Sequence, residues 1–219
     1  MNKQVSENPA KNRDWNYLVI ISSLLAAIYI ASNAMAVKVI SIGGISLFDA
    51  GTITFPAAYM LGDVLTEVWG FKTAKKVIWL TFFCNIIFVL CTALGLFLPA
   101  PDYMKETTDA YSIVFGYVPR IIIASLVGFL CGELSNSFVM EKLKKLTKGK
   151  LLWVRTIGSS AVGYIFDTVL FVIIAFAGTA PWFDLFTMIT IQYVAKLLIE
   201  ALAGTPLAYA VIAKIKSRT

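Results

Sequence analysis

In this chain of 219 residues 58% are hydrophobic and only 15% charged, with mean hydropathy +0.78; soluble chains hold about half apolar and a quarter charged residues, so this is the composition of an integral membrane protein. The formal charge of +6 and pI of about 9.2 do not imply a nucleic-acid partner, because the Lys and Arg residues gather in a few short connections, as they do on the cytoplasmic side of a membrane. Histidine is absent; without the commonest general base and zinc ligand, zinc hydrolases, Ser-His-Asp hydrolases and Cys-His enzymes are disfavoured, which leaves only membrane enzymes that use carboxylates or lysine, and no metal site is expected.

Taken in chain order, the hydrophobicity predicts six spans at about 16–36, 52–69, 77–98, 113–139, 156–177 and 186–212, each near the roughly 20 residues that cross a bilayer core. After the first span, "VKVISIGGISLFDAG" sets two glycines between β-branched runs and predicts a hairpin-like external loop. Pro56, early in the second span, does little harm there. Cys84, Cys91 and Cys131 lie in apolar stretches and read as buried reduced thiols. The stretch "PAPDYMKETTDAYS" after the third span has the Pro and acidic content of a surface connection. Ala27-x3-Ala31 and Gly128-x3-Gly132 allow helix backbones to approach within the chain, with a homodimer contact as the alternative. The five tryptophans mostly flank span ends, as in an aromatic belt facing membrane lipid.

Loop charge sets the orientation. The N-terminal tail, the second and fourth loops and the C-terminal tail hold fourteen Lys and Arg residues, while the alternate loops hold only Lys38 and Lys105. This bias places both termini in the cytoplasm and requires an even number of spans. The basic tail, apolar run and "AMA" at Ala34 to Ala36 imitate a secretory signal, but the run is long enough to span, and removing it would leave five spans against the charge pattern. A shared Gly-acid pair in "YMLGDVLTE" and "FLCGELSNS" is too weak to establish a repeat. The fold expected is therefore an all-α membrane protein: residues 1–14 a cytoplasmic tail, residues 15–219 one bundle of six transmembrane helices.

Seven ionisable side chains fall inside the predicted spans: Asp63, Glu67, Arg120, Glu133, Asp167, Lys196 and Glu200. Each costs about 2.5–3.5 kcal/mol at the centre of an inserting helix, so they are expected to face one another or a wet cavity. Five acids against two bases imply protonated carboxyls, a bound cation or placement near an interface. Glu67 and Glu133 lie near span ends, where snorkelling or pairing with loop lysines would suffice. Asp63, Asp167, Lys196 and Glu200 lie deeper. Gln192, Lys196 and Glu200 form one stripe at i, i+4, i+8; Ser160 with Asp167, Asp63 with Glu67, and Tyr29 with Asn33 each share a helix face. Such converging polar faces suit transit of a polar organic solute.

Ser32–Asn33, Phe55–Pro56 followed by Asp63 and Gly70, Arg120 with Ala124–Ser125, Asp167–Thr168, and Tyr193 to Lys196 followed by Pro206 together resemble the queuosine precursor transporter family, bacterial inner-membrane proteins also grouped as vitamin-uptake-like transporters. The resemblance implies uptake of a 7-deazaguanine across the cytoplasmic membrane: the cyano or aminomethyl precursor (preQ0, preQ1) or the free base queuine. It implies binding by Asn33, Asp63, Arg120, Asp167 and Lys196, with Gln192 and Glu200 from the same stripe and weaker roles for Glu67 and Glu133. Tyr29, Phe55, Tyr59 or Tyr193 would stack on the flat ring. No cofactor is expected, and the acidic excess fits a coupling proton, a coupling sodium ion, or facilitated diffusion followed by metabolic trapping equally well. Two other readings compete: a substrate-binding subunit that needs an energy-coupling-factor ATPase module, and a membrane enzyme using Asp63 and Asp167. The second is disfavoured because "YMLG" precedes Asp63 where an aspartyl intramembrane protease has Gly-x-Gly.

Overall fold

The computed structural model describes residues 9–42, 45–116, 119–178 and 181–217, with side chains left undescribed at 9–14, 39, 41–42, 45–47, 119–122 and 216. Helix α1 (Pro9–Met35), which begins within the stretch read as a tail, leads into an antiparallel hairpin of β1 (Val39–Ile42) and β2 (Ile45–Asp49). Val39 pairs with Asp49 and Ile42 with Ile45, with an irregularity between Ile40 and Ser41; Gly43 and Gly44 lie outside the described residues. Then follow α2 (Gly51–Trp69), α3 (Phe71–Phe97), a 3-10 turn (Asp102–Met104), α4 (Lys105–Phe115), α5 (Pro119–Leu146), α6 (Leu152–Phe176), α7 (Trp182–Ile199), a π-helical turn (Glu200–Gly204) and α8 (Thr205–Lys216).

Among the described residues, five stretches are long and apolar enough to cross a membrane: Trp15–Met35, Phe71–Phe97, Ile123–Leu146, Leu152–Phe176 and Trp182–Ile215. Helix α2 is not one of them, because Asp63, Glu67, three threonines and Pro56 dilute its hydropathy. It is instead enclosed, with fourteen of its nineteen residues buried. Ala58, Leu61, Val64 and Leu65 meet Ile21 and Leu25 of α1, Ala74 and Val77 of α3, and Ala208, Ile212 and Ile215 of α8 in the main apolar core. The opposite face of α2 is turned toward α5 and α7. By contrast α3 exposes Leu80, Phe83, Ile87, Leu90, Leu94 and Phe97 at alternating spacings of three and four, an apolar stripe fit to face lipid.

Cys91, read as a buried thiol, is exposed, and Cys84 and Cys131 are half-buried; two expectations about helix ends also differ. The stretch read as a surface connection holds the exposed helix α4, and Ile113, Val114 and Phe115, read as the start of the fourth span, belong to α4. The helix restarts at Pro119, whose fixed φ suits a first helical position; apolar content alone does not mark that break. At its other end α5 runs on through "MEKLKKL", residues of good helix propensity, so Lys142, Lys144 and Lys145 sit on its last turns rather than in a loop. The last predicted span is one continuous stretch, interrupted by the π-helical turn at Glu200–Gly204.

Local chemistry fixes the joints around α2. Asp49 accepts hydrogen bonds from the Thr52 backbone N–H and from Thr52 Oγ1, both at 3.1 Å, and so satisfies one orphan backbone donor of the first turn. Asp49→Ala is expected to lower stability by about 1 kcal/mol, read as an earlier thermal unfolding midpoint in detergent. Gly70, at φ 80° and ψ 163°, alone separates α2 from α3, a backbone region open essentially to glycine. The small residues of α5 serve intramolecular packing: a Cβ at Gly132 would stand 2.9 Å from the Gly163 carbonyl oxygen of α6, and one at Gly128 would stand 2.9 Å from the Asp167 carbonyl oxygen. Gly163→Leu would push a side chain into Tyr59, Asn136 and the Gly132 backbone. Loss of the monodisperse peak in size-exclusion chromatography is the expected result, since overpacking costs about 1–3 kcal/mol or more.

Candidate functional site

Four helices turn polar faces toward one axis. On α2, Phe55, Tyr59, Asp63 and Glu67 recur every four residues, a row about 18 Å long at 1.5 Å per residue. Facing it are Ser125, Phe129, Glu133 and Asn136 of α5, Asp167, Tyr164, Ser160 and Arg155 of α6, and Gln192 and Lys196 of α7 continuing to Glu200 in the π-helical turn. Such turns are frequent at functional sites. The side chains meet in successive layers from the hairpin end to the lysine-rich end.

In the first layer Asn33 Nδ2 donates to Asn85 Oδ1 at 3.1 Å, Ser125 Oγ donates to Asn33 Oδ1, and Tyr29 OH donates to the Ser125 carbonyl at 3.2 Å. Aromatic rings follow: Tyr29 stacks on Phe129 with centroids 3.8 Å apart, and Phe55 meets the Tyr29 ring edge-on at 6.0 Å. Beneath them lies a buried ion pair. Lys196 Nζ donates to Asp167 Oδ2 at 2.6 Å and to Thr168 Oγ1 at 3.3 Å, and it sits 5.2 Å from the Phe55 centroid. Both partners are 3% exposed, so the pair is shielded from solvent. Gln192, one turn away on α7, is buried with its Oε1 unpartnered among the described residues.

The next layer is rich in carboxyls. Asn136 Nδ2 donates to Asp63 Oδ1 at 2.9 Å, Tyr164 OH donates to Glu200 Oε2 at 3.2 Å, and the rings of Tyr59 and Tyr164 lie 4.3 Å apart. Glu133 lies against Gly62 of α2, its carboxyl occupying the space a Cβ there would need. Asp63, Glu133 and Glu200 are all 0% exposed. At the lysine-rich end Arg155 pairs with Glu67 and also donates to the Gly149 carbonyl at 3.2 Å. Lys144 Nζ stands 3.4 Å from the same Glu67 carboxylate and donates to the Glu67 carbonyl at 2.5 Å.

The structure thus brings together Phe55, Tyr59, Asp63, Glu67, Glu133, Asp167, Gln192, Lys196 and Glu200, with Tyr29 and Asn33 at the hairpin end. Tyr193 is only half-buried and lies about 100° around α7 from Gln192. Arg120 is in α5, but its side chain lies outside the described residues. Glu133, whose position toward a span end allowed snorkelling, is fully buried. Sequence reasoning missed Arg155, Asn85, Asn136 and Tyr164. Arg155 falls one residue before the predicted fifth span; Tyr164 lies between Ser160 and Asp167 on the face already identified, and Asn136 follows Glu133 by three.

Residues 49–211 match the model of a family described as "Putative vitamin uptake transporter". The chain belongs to this family. A "Probable queuosine precursor transporter" of Bacillus subtilis (strain 168) is 30% identical over 187 residues, covering 83% of this chain and 78% of that protein. A protein of the same name from Haemophilus influenzae is 29% identical over 133 residues, covering 61% and 54% respectively. No solved structure matches the chain. This family member is therefore a multi-pass membrane transporter, not an enzyme, and the intramembrane-enzyme reading is set aside. The matched segment begins at Asp49, so it takes in every layer residue except Tyr29 and Asn33 of α1.

Proposed function

We propose that the chain carries queuosine precursors, 7-deazaguanine bases, inward across the bacterial cytoplasmic membrane by alternating access around the Asp167–Lys196 layer. The observation that carries this reading is a desolvated carboxylate–ammonium pair beside Phe55, near the Tyr29–Phe129 stack. A deazaguanine offers a ring N–H and an exocyclic amine that a carboxylate accepts, a carbonyl that an ammonium serves, and a flat face that aromatic rings cover. The names of the relatives support this solute class. In this reading α2 is the sixth crossing, sheltered from lipid by its neighbours, and the loop charge bias holds both termini in the cytoplasm. The Glu67–Arg155–Lys144 cluster then lies at the inner end of the path and the Asn33–Asn85–Ser125 cluster at the outer end.

The test is a thermal-shift screen of purified protein against purines, deazaguanines and vitamins. Deazaguanines are expected to raise the unfolding temperature, since a ligand at 100 times its Kd adds about 2.7 kcal/mol. Stabilisation by a vitamin, with none by any deazaguanine, would contradict the assignment.

A further inference from the structure

We propose that the layer of Asp63, Glu133 and Glu200 is a proton-binding station that couples uptake to the proton gradient; this rests on the transport reading above and names its driving ion. The other two buried acids have cationic partners, Asp167 with Lys196 and Glu67 with Arg155 and Lys144. Among the described residues, no salt bridge reaches Asp63, Glu133 or Glu200.

Three carboxylates without counter-charge in a dry interior are not sustainable as anions, because an isolated buried charge is neutralised rather than tolerated. Burial alone would not make a site. Among the described residues, both Glu133 oxygens, Asp63 Oδ2 and Glu200 Oε1 have no hydrogen-bond partner, nor do the neighbouring Tyr59 hydroxyl and Asn136 Oδ1, all fully enclosed. These atoms supply acceptors for carboxyl protons. Two glycines hold the acids in place: a Cβ at Gly62 would collide with the Glu133 carboxyl, and one at Gly204 would stand 2.6 Å from Glu200 Oε2.

Glu133 has titratable neighbours on the elements packed around it. It lies within electrostatic reach of Asp63 and Tyr59 from α2, Asp167 from α6 and Glu200 from the π-helical turn; Tyr164 reaches the same layer through Glu200, and Lys196 through its pairing with Asp167. The acids do not converge as ligands of one ion: Asp63 turns to Asn136, Glu200 to Tyr164 and Glu133 to the α2 backbone. Among the described residues no three acids or thiols form a metal-ion cage. A proton needs one oxygen where sodium needs several. In the cycle, a proton from outside water adds to a Glu133 carboxylate oxygen when the layer opens outward. It leaves to cytoplasmic water when the Glu67–Arg155 end opens.

The test has two arms. Infrared spectra of the purified protein at neutral pH are expected to show a protonated-carboxyl C=O band that weakens in Glu133→Gln, with Glu200→Gln as a second variant should the first misfold. Absence of the band in wild-type protein overturns the proposal without touching the transport reading. In proteoliposomes, an inward gradient of one pH unit is expected to accumulate the neutral cyano base about tenfold at zero potential, the limit for one proton per solute. An inward sodium gradient is expected to do nothing. Accumulation driven by sodium, or equilibration indifferent to both gradients, overturns proton coupling while leaving transport intact. No uptake, and no thermal shift by any deazaguanine, overturns the transport reading and the coupling with it.

Discussion

Asp167→Ala, made in cells that cannot synthesise the queuosine base, is expected to abolish queuosine in tRNA when the precursor is supplied outside. The carboxylate accepts from Lys196 at 2.6 Å in a site that is almost fully buried. Removing it strands an ammonium in low dielectric, at about 3–5 kcal/mol, which also threatens folding. The double variant Asp167→Ala with Lys196→Met separates the two effects. Removing both charges relieves the stranded ammonium, so folded yield should return, whereas transport should not. Losing a charged contact to the base corresponds to roughly two to four powers of ten in affinity at the same energies. Wild-type queuosine content in the double variant would make the pair a structural element and remove Asp167 and Lys196 from the site.

The second large effect is expected at Arg155. Its guanidinium is 1% exposed, pairs with Glu67 and reaches the Gly149 carbonyl in the α5–α6 connection. It therefore joins α2, α6 and that connection at one point. Arg155→Ala leaves Glu67 with Lys144, which is partly solvated. The expected loss is about 3–5 kcal/mol, a large share of a total stability of about 5–15 kcal/mol. Arg155→Lys should recover only part of it, because an ammonium lacks the planar fork that serves two acceptors. Thermal unfolding of the three proteins in detergent gives the order wild type, then Lys, then Ala; equal midpoints would show that the cluster does not secure this end of the bundle.

Much of this arrangement was legible in the sequence because a membrane penalises polar groups so heavily. Asp63, Asp167, Lys196 and Glu200 had to face inward, and they do. The hairpin was visible from paired glycines between β-branched runs. Helix ends were harder: the apolar residues of α4 and the lysines of α5 misplaced both edges of one span, because hydropathy reports composition and not where Gly116 and Pro119 break the chain. A separate boundary error, at the start of the fifth span, hid Arg155, which a span starting at Leu152 would have included. The neutral members, Asn85, Asn136 and Tyr164, carry no charge penalty to betray them. Their roles emerge only from which residues stand opposite across the helices, and the enclosure of α2 likewise follows from tertiary packing.

The proposed path for a flat, polar base is the layered axis of this single chain. Uptake of radiolabelled precursor base into proteoliposomes containing this chain and no other protein tests it most directly. Saturable uptake is expected, competed by unlabelled deazaguanine and reduced to the level of empty liposomes by Asp167→Ala with Lys196→Met. Wild-type uptake equal to that of empty liposomes, or uptake that appears only when an ATPase module is added, would contradict it.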